Sequence, residues 1–229
     1  MAAVHPLRRR LDRSSVDWSV PPRWSIALLV SPLVGAAAVA LSAFHSGVYH
    51  VLVREDSVLE WAGLLAYLAA AFFAAWTALR LYRSGERGLA VGFVVLASCC
   101  AFAAGEEISW GQRLFDLETP SRLEAVNRQR ELTLHNVAEA ERGFLFALVA
   151  ASLYGLVAPW LVAGRRMLVP PVFLCSAFLV TFAYTVTRAL FFPHPSYDLA
   201  KYSEWPEFCF AFGLSTFALL SWRAARPAE

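Results

Sequence analysis

Uncharged apolar stretches long enough to cross a bilayer alternate along this chain with short charged segments. A soluble domain interleaves its charges along every exposed helix face, whereas here they come in clumps. A span needs about 20 apolar residues to cross about 30 Å of hydrocarbon. By that measure six spans are expected, over residues 24–44, 61–78, 88–105, 143–164, 167–187 and 203–222. Trp24 opens the first at an interfacial position. Pro170 and Pro171 sit near the start of the fifth, where a missing N–H matters least.

Between the third and fourth spans lies a polar stretch, residues 106–142. Thr119-Pro120 reads as a helix start, with Thr119 as N-cap and Pro120 at the first helical position. Leu123, Val126, Leu134 and Val137 follow with roughly helical spacing. One or two short helices are expected here, lying along the membrane surface or folded back into the bundle. The fold class is therefore an all-α polytopic transmembrane bundle with a short interfacial helical segment. It is one domain over residues 24–222, with a basic segment (1–23) before it and a short tail (223–229) after it.

Composition supports this class: of 229 residues, 58% are hydrophobic and 17% charged. The first twenty residues are polar and basic, with no short apolar region and small-residue cleavage site close behind. The first apolar stretch is full length and reads as a retained span that directs insertion. Cys99, Cys100, Cys175 and Cys209 all fall in apolar segments. They form neither a C-x-x-C nor a disulfide framework, and read as small buried hydrophobes.

The net charge of +2 says less than its distribution. Arg8, Arg9, Arg10, Arg13 and Arg23, then Arg80, Arg83 and Arg87, then Arg165 and Arg166, then Arg223 and Arg226 fall in one set of loops. The positive-inside rule puts that set, with both termini, in the cytoplasm of a multi-pass protein of the bacterial inner (plasma) membrane. Topology explains these arginines, so nucleic acid is not an expected partner; the lipid bilayer is. Fourteen of the eighteen Asp and Glu residues, and four of the five histidines, fall in the opposite loops. Acids do not set topology, so this second asymmetry points to a polar site at the extracytoplasmic face.

Glu106 and Glu107 leave the end of an apolar helix, where carboxylates are costly and oppose the macrodipole. A metal, an arginine or a proton should compensate them. If the helix continues, Glu106, Trp110 and Arg113 share one side, and Glu106 pairs with Arg113 as readily as it serves chemistry. Glu131 and His135 are four apart, as are His194 and Asp198, but neither pair fits a known metal motif. Ser57-Val58-Leu59-Glu60 fits a capping box opening the second span, and Asn136-Val137-Ala138-Glu139 resembles one opening the fourth. Glu139 and Glu141 are thereby accounted for, while Glu60 and Glu207 sit directly against apolar spans. Arg113 and Arg188 either hold an anionic head group or balance the carboxylates. No P-loop, G-x-S-x-G, dinucleotide fingerprint or zinc-finger spacing is present.

The run GEEISWGQRLFDLETP, followed by NRQRELTLHN, resembles the signature of an uncharacterised family of bacterial polytopic membrane proteins. Its residues here are Glu106, Glu107, Trp110, Gln112, Arg113, Glu118, Asn127, Gln129, Glu131, His135 and Asn136. The resemblance implies a multi-span bundle and no particular activity. A looser resemblance is to membrane hydrolases typified by alkaline ceramidases, which hold zinc with histidines and an acid. This chain lacks their paired histidines on a late helix and has one span fewer.

Two functions follow. The first is a membrane-embedded hydrolase or transferase acting on a lipid or lipid-linked substrate. Glu106, Glu107 and His135 would be its catalytic centre, and Arg113, Arg188, Trp110 and Gln112 would bind substrate. A divalent metal such as zinc would be held by Glu107, His135, His194, Glu207 and Glu60. The second is a non-enzymatic transporter, ion-binding or assembly subunit whose polar cluster is structural. Polar residues deep in the spans are few, which weighs against transport.

Overall fold

The computed structural model describes residues 6–42, 44–53, 57–115, 117–127, 131–134, 137–162, 167–192 and 201–225. Among them the chain forms helices and no strand, with one isolated antiparallel bridge between Asn127 and Val137. The helices are α1 (Pro6–Asp17), α2 (Pro22–Ser42), α3 (Ser46–Val53), α4 (Val58–Arg83), α5 (Arg87–Glu107), α6 (Gln112–Phe115), α7 (Ser121–Glu124), α8 (Ala138–Leu161), α9 (Cys175–Phe191) and α10 (Glu204–Ala224). One-turn 3-10 segments precede α6 (Ser109–Gly111) and α9 (Val172–Leu174).

Among the described residues five helices are long and apolar enough to cross a membrane, within Pro22–Ser42, Val58–Arg83, Arg87–Glu107, Ala140–Leu161 and Val172–Phe191. In the first, third and fourth only 22% of the most apolar window is buried against protein. Val34, Leu41, Leu65, Val91 and Phe146 are exposed. Helices this apolar, with their large side chains outward, suit hydrocarbon as solvent and fit a multi-pass membrane protein. α10 is equally long at 21 residues, but Glu204 and Glu207 in its first turn make its opening more polar.

Helix boundaries depart from the sequence expectation where local chemistry overrides hydropathy. The fifth apolar stretch starts at Val172, not Met167, because Pro171 holds an extended φ/ψ ahead of the 3-10 turn. The polar stretch forms two four-residue helices, with Pro120 rather than Thr119 at the N-cap of α7. α4 starts as expected: the Ser57 hydroxyl accepts from the Glu60 N–H at 3.2 Å. The basic N-terminal segment contains α1, fixed by its serines: Ser15 donates to Ser25 of α2, and Ser14 accepts from the Val172 N–H.

α4 packs between α5 and α10. The seams are lined by small residues, with Ala70, Ala74, Cys100, Ala104, Ala211 and Ala218 all at most 2% exposed. Small side chains let helix backbones approach closely, and in lipid that close packing replaces the hydrophobic effect as the source of cohesion. α8 and α9 form a second pair, in which the Phe178 ring occupies the space a Cβ on Gly155 would need. α9 joins α10 through Thr181, whose hydroxyl donates to the Pro206 carbonyl. α2 joins α10 through Trp205, which lies across Gly35 and donates to the Pro32 carbonyl at 3.0 Å.

This packing sorts charge between the two ends of the bundle. At one end Arg10 bonds the Trp160 carbonyl closing α8, and Arg80 bonds the Trp222 carbonyl near the end of α10. Both guanidiniums also lie over the indole rings. At the other end meet the start of α4, the end of α5, the start of α8, the end of α9 and the start of α10. That end carries the acids.

Candidate functional site

Two polar layers occupy the acidic end, and the adjacent glutamates 106 and 107 belong one to each. α5 stops at Glu107, so the continued helix that would align Glu106, Trp110 and Arg113 does not form. The chain instead turns through three positive φ values, Ser109 at 48°, Trp110 at 54° and Gly111 at 82°. Left-handed backbone is costly for Ser and Trp and must be held by surrounding contacts. Here the turn folds Trp110 back over Gly105, whose missing Cβ leaves room for the ring. The indole N–H then donates to Glu106 Oε1 at 2.7 Å.

The rest of the outer layer closes around that contact. Glu106 Oε2 accepts from the Leu134 N–H at 2.7 Å. Ser109 donates to Glu131 Oε2 at 2.7 Å. Gln112 accepts from the Leu132 N–H at 2.7 Å and donates to the Thr119 hydroxyl at 2.6 Å. Asn127 donates to the Thr133 carbonyl at 2.7 Å. Glu106 is 6% exposed and both its oxygens accept bonds that fold this cap. Charge-assisted bonds of this length are the strong ones. Trp110 and Gln112 are likewise engaged within the cap.

Glu107 points elsewhere. It interacts electrostatically with the carboxylates of Glu207, Glu204 and Glu60 and with the Lys201 ammonium. Glu60 lies in the first turn of α4, and Glu204 and Glu207 in the first turn of α10. Those three gain from the positive end of a helix, but Glu107, at a C-terminus, does not. Glu107 makes no hydrogen bond among the described residues. Two turns along α4 from Glu60, Tyr67 is 7% exposed, and its hydroxyl looks onto Glu107 and Glu207. That hydroxyl also makes no hydrogen bond among the described residues. Tyr184 of α9, bonded to Ser203, faces Glu207 and Glu204 from another side. Lys201 lies 3.6 Å from Glu204.

The expected site residues therefore divide. Glu60, Glu107 and Glu207 come together, while Glu106, Trp110 and Gln112 form the cap. Arg188 pairs with Glu141 at 3.0 Å, the acid that helix capping alone was expected to explain. His135, His194 and the Arg113 side chain lie outside the described residues. Among the described residues, no three His, Cys, Asp or Glu side chains are placed to hold a metal ion.

Sequence reasoning gave no role to Tyr67, Tyr184 or Lys201. Spacing carried a signal for each. Tyr67 is two turns from Glu60 and Tyr184 is one turn from Arg188, so each shares a helix face with a neighbour already singled out, and Lys201 lies three residues before Glu204. No family model, curated protein or solved structure matches this chain.

Proposed function

We propose that this chain is a six-span protein of the bacterial plasma membrane, with α10 as the sixth span and both termini cytoplasmic. On this reading the cap with α6 and α7 lies at the extracytoplasmic interface. The Glu107 cluster beneath it performs acid–base chemistry on a lipid or lipid-linked substrate. The observation that carries the reading is Glu107 itself: a carboxylate with no hydrogen bond among the described residues, turned toward three others and the unbonded Tyr67 hydroxyl. A structural carboxylate looks like Glu106, with every oxygen engaged.

In a hydrolysis or transfer, Glu107 takes the proton of the attacking water or hydroxyl as that oxygen bonds the electrophilic centre. It returns the proton to the leaving oxygen as the old bond breaks. The interior of the bundle supports chemistry at one face over passage through it. Thr77, Ser152 and Thr185 each donate to a carbonyl of their own helix, so these buried hydroxyls are turned back onto backbone.

The test is lipid turnover. Wild-type protein, Glu107→Gln and Tyr67→Phe are reconstituted into vesicles of a total bacterial membrane extract, lipid-linked intermediates included. Lipids are followed by mass spectrometry. Wild type should convert at least one lipid class, and Glu107→Gln should slow that conversion by about 100-fold or more, the usual contribution of a general acid–base group. Folded wild type that leaves every lipid unchanged overturns the enzymatic reading.

A further inference from the structure

The basic helix α1 is fixed to the bundle by one face and leaves the other uncovered among the described residues. Leu11, Ser14, Ser15 and Trp18 recur at helical spacing and turn inward. Leu11 and Trp18 pack against the core around Phe173 and Phe217, with the Trp18 and Phe217 ring centroids 6.1 Å apart. Ser15 donates to Ser25 at 2.8 Å, and Ser14 accepts from the Val172 N–H at 3.2 Å. Arg9, Arg13 and Val16 recur at the same spacing on the opposite side, and all three are exposed. We propose that this outer face of α1 docks on the bilayer surface, with Arg9 and Arg13 on the phosphates of anionic phospholipid head groups.

The helix lies at the rim of the bundle, where lipid begins. Residues 169–178, which lead into α9, are all buried. α1 touches their 3-10 turn as well as α2, so it covers part of a stretch that lipid would otherwise meet. Arg10 reaches the Trp160 carbonyl at 2.7 Å and lies over that ring, and the next residue, Leu161, is 76% exposed. On the other flank Arg23 lies over the ring of Trp24, which is 56% exposed. Indole rings at the ends of apolar spans suit the head-group layer. α1 thus runs between two span ends that face lipid.

The chemistry of the outer face fits such a surface. Arg8, Arg9 and Arg13 make no ion pair or hydrogen bond among the described residues. With Arg10 they outnumber Asp12 and Asp17 on the same helix. Val16, beside Arg9 and Arg13, is exposed, and so is Leu7 a turn ahead of Leu11. One exposed apolar residue means little. Exposed apolar residues among free guanidiniums suit an interfacial helix, whose apolar groups reach the acyl boundary while its cations meet anionic lipid. A guanidinium fork matches two phosphate oxygens, and a phosphocholine group brings a cation of its own to oppose it. Insertion topology needs only charge near the span. It does not need that charge folded into a helix and pinned to the rim.

Calorimetry on the full chain in detergent tests the proposal. The probes are dihexanoyl phosphatidylglycerol, dihexanoyl phosphatidylcholine and glycerol phosphate. The glycerol lipid should bind roughly 10-fold tighter than the choline lipid, because each arginine near anionic lipid contributes severalfold. That preference should fall severalfold as salt rises from about 0.05 M to about 0.5 M, since exposed charges are screened. It should all but vanish in Arg9→Gln/Arg13→Gln. Arg83→Gln/Arg87→Gln removes the same charge from the turn between α4 and α5 and should keep it. Equal binding of the two lipids, a preference unchanged in Arg9→Gln/Arg13→Gln, or equal loss in both variants overturns the proposal. So does glycerol phosphate binding as tightly as its lipid, since the face would then serve a soluble anion. Arg9 and Arg13 hold nothing in the fold among the described residues, so their variant should melt with wild type. If it melts low instead, wild type still decides, because a preference indifferent to salt also overturns the proposal. None of these outcomes bears on Glu107.

Discussion

At the scale of single residues, neighbouring glutamates with the same chemistry have opposite tasks. Glu106 accepts from Trp110 and Leu134 at 2.7 Å each while almost fully buried. Glu106→Ala should destabilise the fold by about 1–3 kcal/mol, since two bonds to a buried carboxyl that fold the cap are lost. A melting temperature in detergent several degrees below wild type is the expected readout. Glu107→Gln keeps the side chain's size beside three other acids and breaks no hydrogen bond among the described residues, so its melting temperature should equal or exceed that of wild type. If instead Glu107→Gln melts low and Glu106→Ala does not, the roles are reversed and the site must be redrawn around Glu106. The sequence made both carboxylates conspicuous, because acids at the end of an apolar helix are costly. It could not divide the labour. That division depends on the left-handed turn at Ser109, Trp110 and Gly111, and only Gly111 is a residue type that signals such a conformation.

At the scale of elements, close approach is bought with missing side chains. Gly35 is the clearest case: a Cβ there would lie 1.9 Å from the Trp205 ring. Gly35→Val should expel the indole, break its bond to the Pro32 carbonyl and loosen the first turn of α10, which carries Glu204 and Glu207. The loss should be about 1–3 kcal/mol, typical of overpacking. Trp205→Ala should be costly alone, yet make Gly35→Val nearly harmless when the two are combined. A thermal-melting double-mutant cycle with additive losses would mean that the two do not meet. The same reasoning applies to α4, where Ala70→Leu would wedge a seam in which Ala70 is 0% exposed. Apolar length located the long helices to within a few residues, since the cost of a polar backbone in hydrocarbon leaves little choice. The start of α9 was missed because Met167 and Leu168 are apolar but lie in a turn ahead of Pro170 and Pro171. α1 was missed because a short basic segment carries no apolar run, and it is serine contacts to α2 and Val172 that fix it.

At the scale of the whole molecule, the proposals depend on which way the charged ends face and on whether α10 crosses. Its 21 residues reach about 31 Å as a helix, enough for the hydrocarbon. Its first turn is acidic, and Ala211 and Ala218 are wholly buried against neighbours. A helix with this much of its face covered by protein can tolerate polar groups that lipid would not. It therefore needs less hydropathy than its neighbours to span. Sequence could find the polar end from charge alone and grouped Glu60, Glu107 and Glu207 there, but not the place of Tyr67 or Lys201 beside them, which depends on three helices joined by packing. Topology can be measured with single cysteines at Glu118, Ser84 and Ala224 in a chain whose own four cysteines are replaced by alanine. In intact cells a membrane-impermeant maleimide should label Glu118→Cys. It should reach Ser84→Cys and Ala224→Cys only after the inner membrane is opened. Ala224→Cys labelled from outside while Ser84→Cys stays protected would make α10 a surface helix. Glu204 and Glu207 could not then reach Glu107 as packed here, so one topological result would remove the sixth span and the Glu107 cluster together. Protection of Ala224→Cys and Ser84→Cys on the same side would instead place the start of α10, and every carboxylate of the cluster, at the outer end of the bundle.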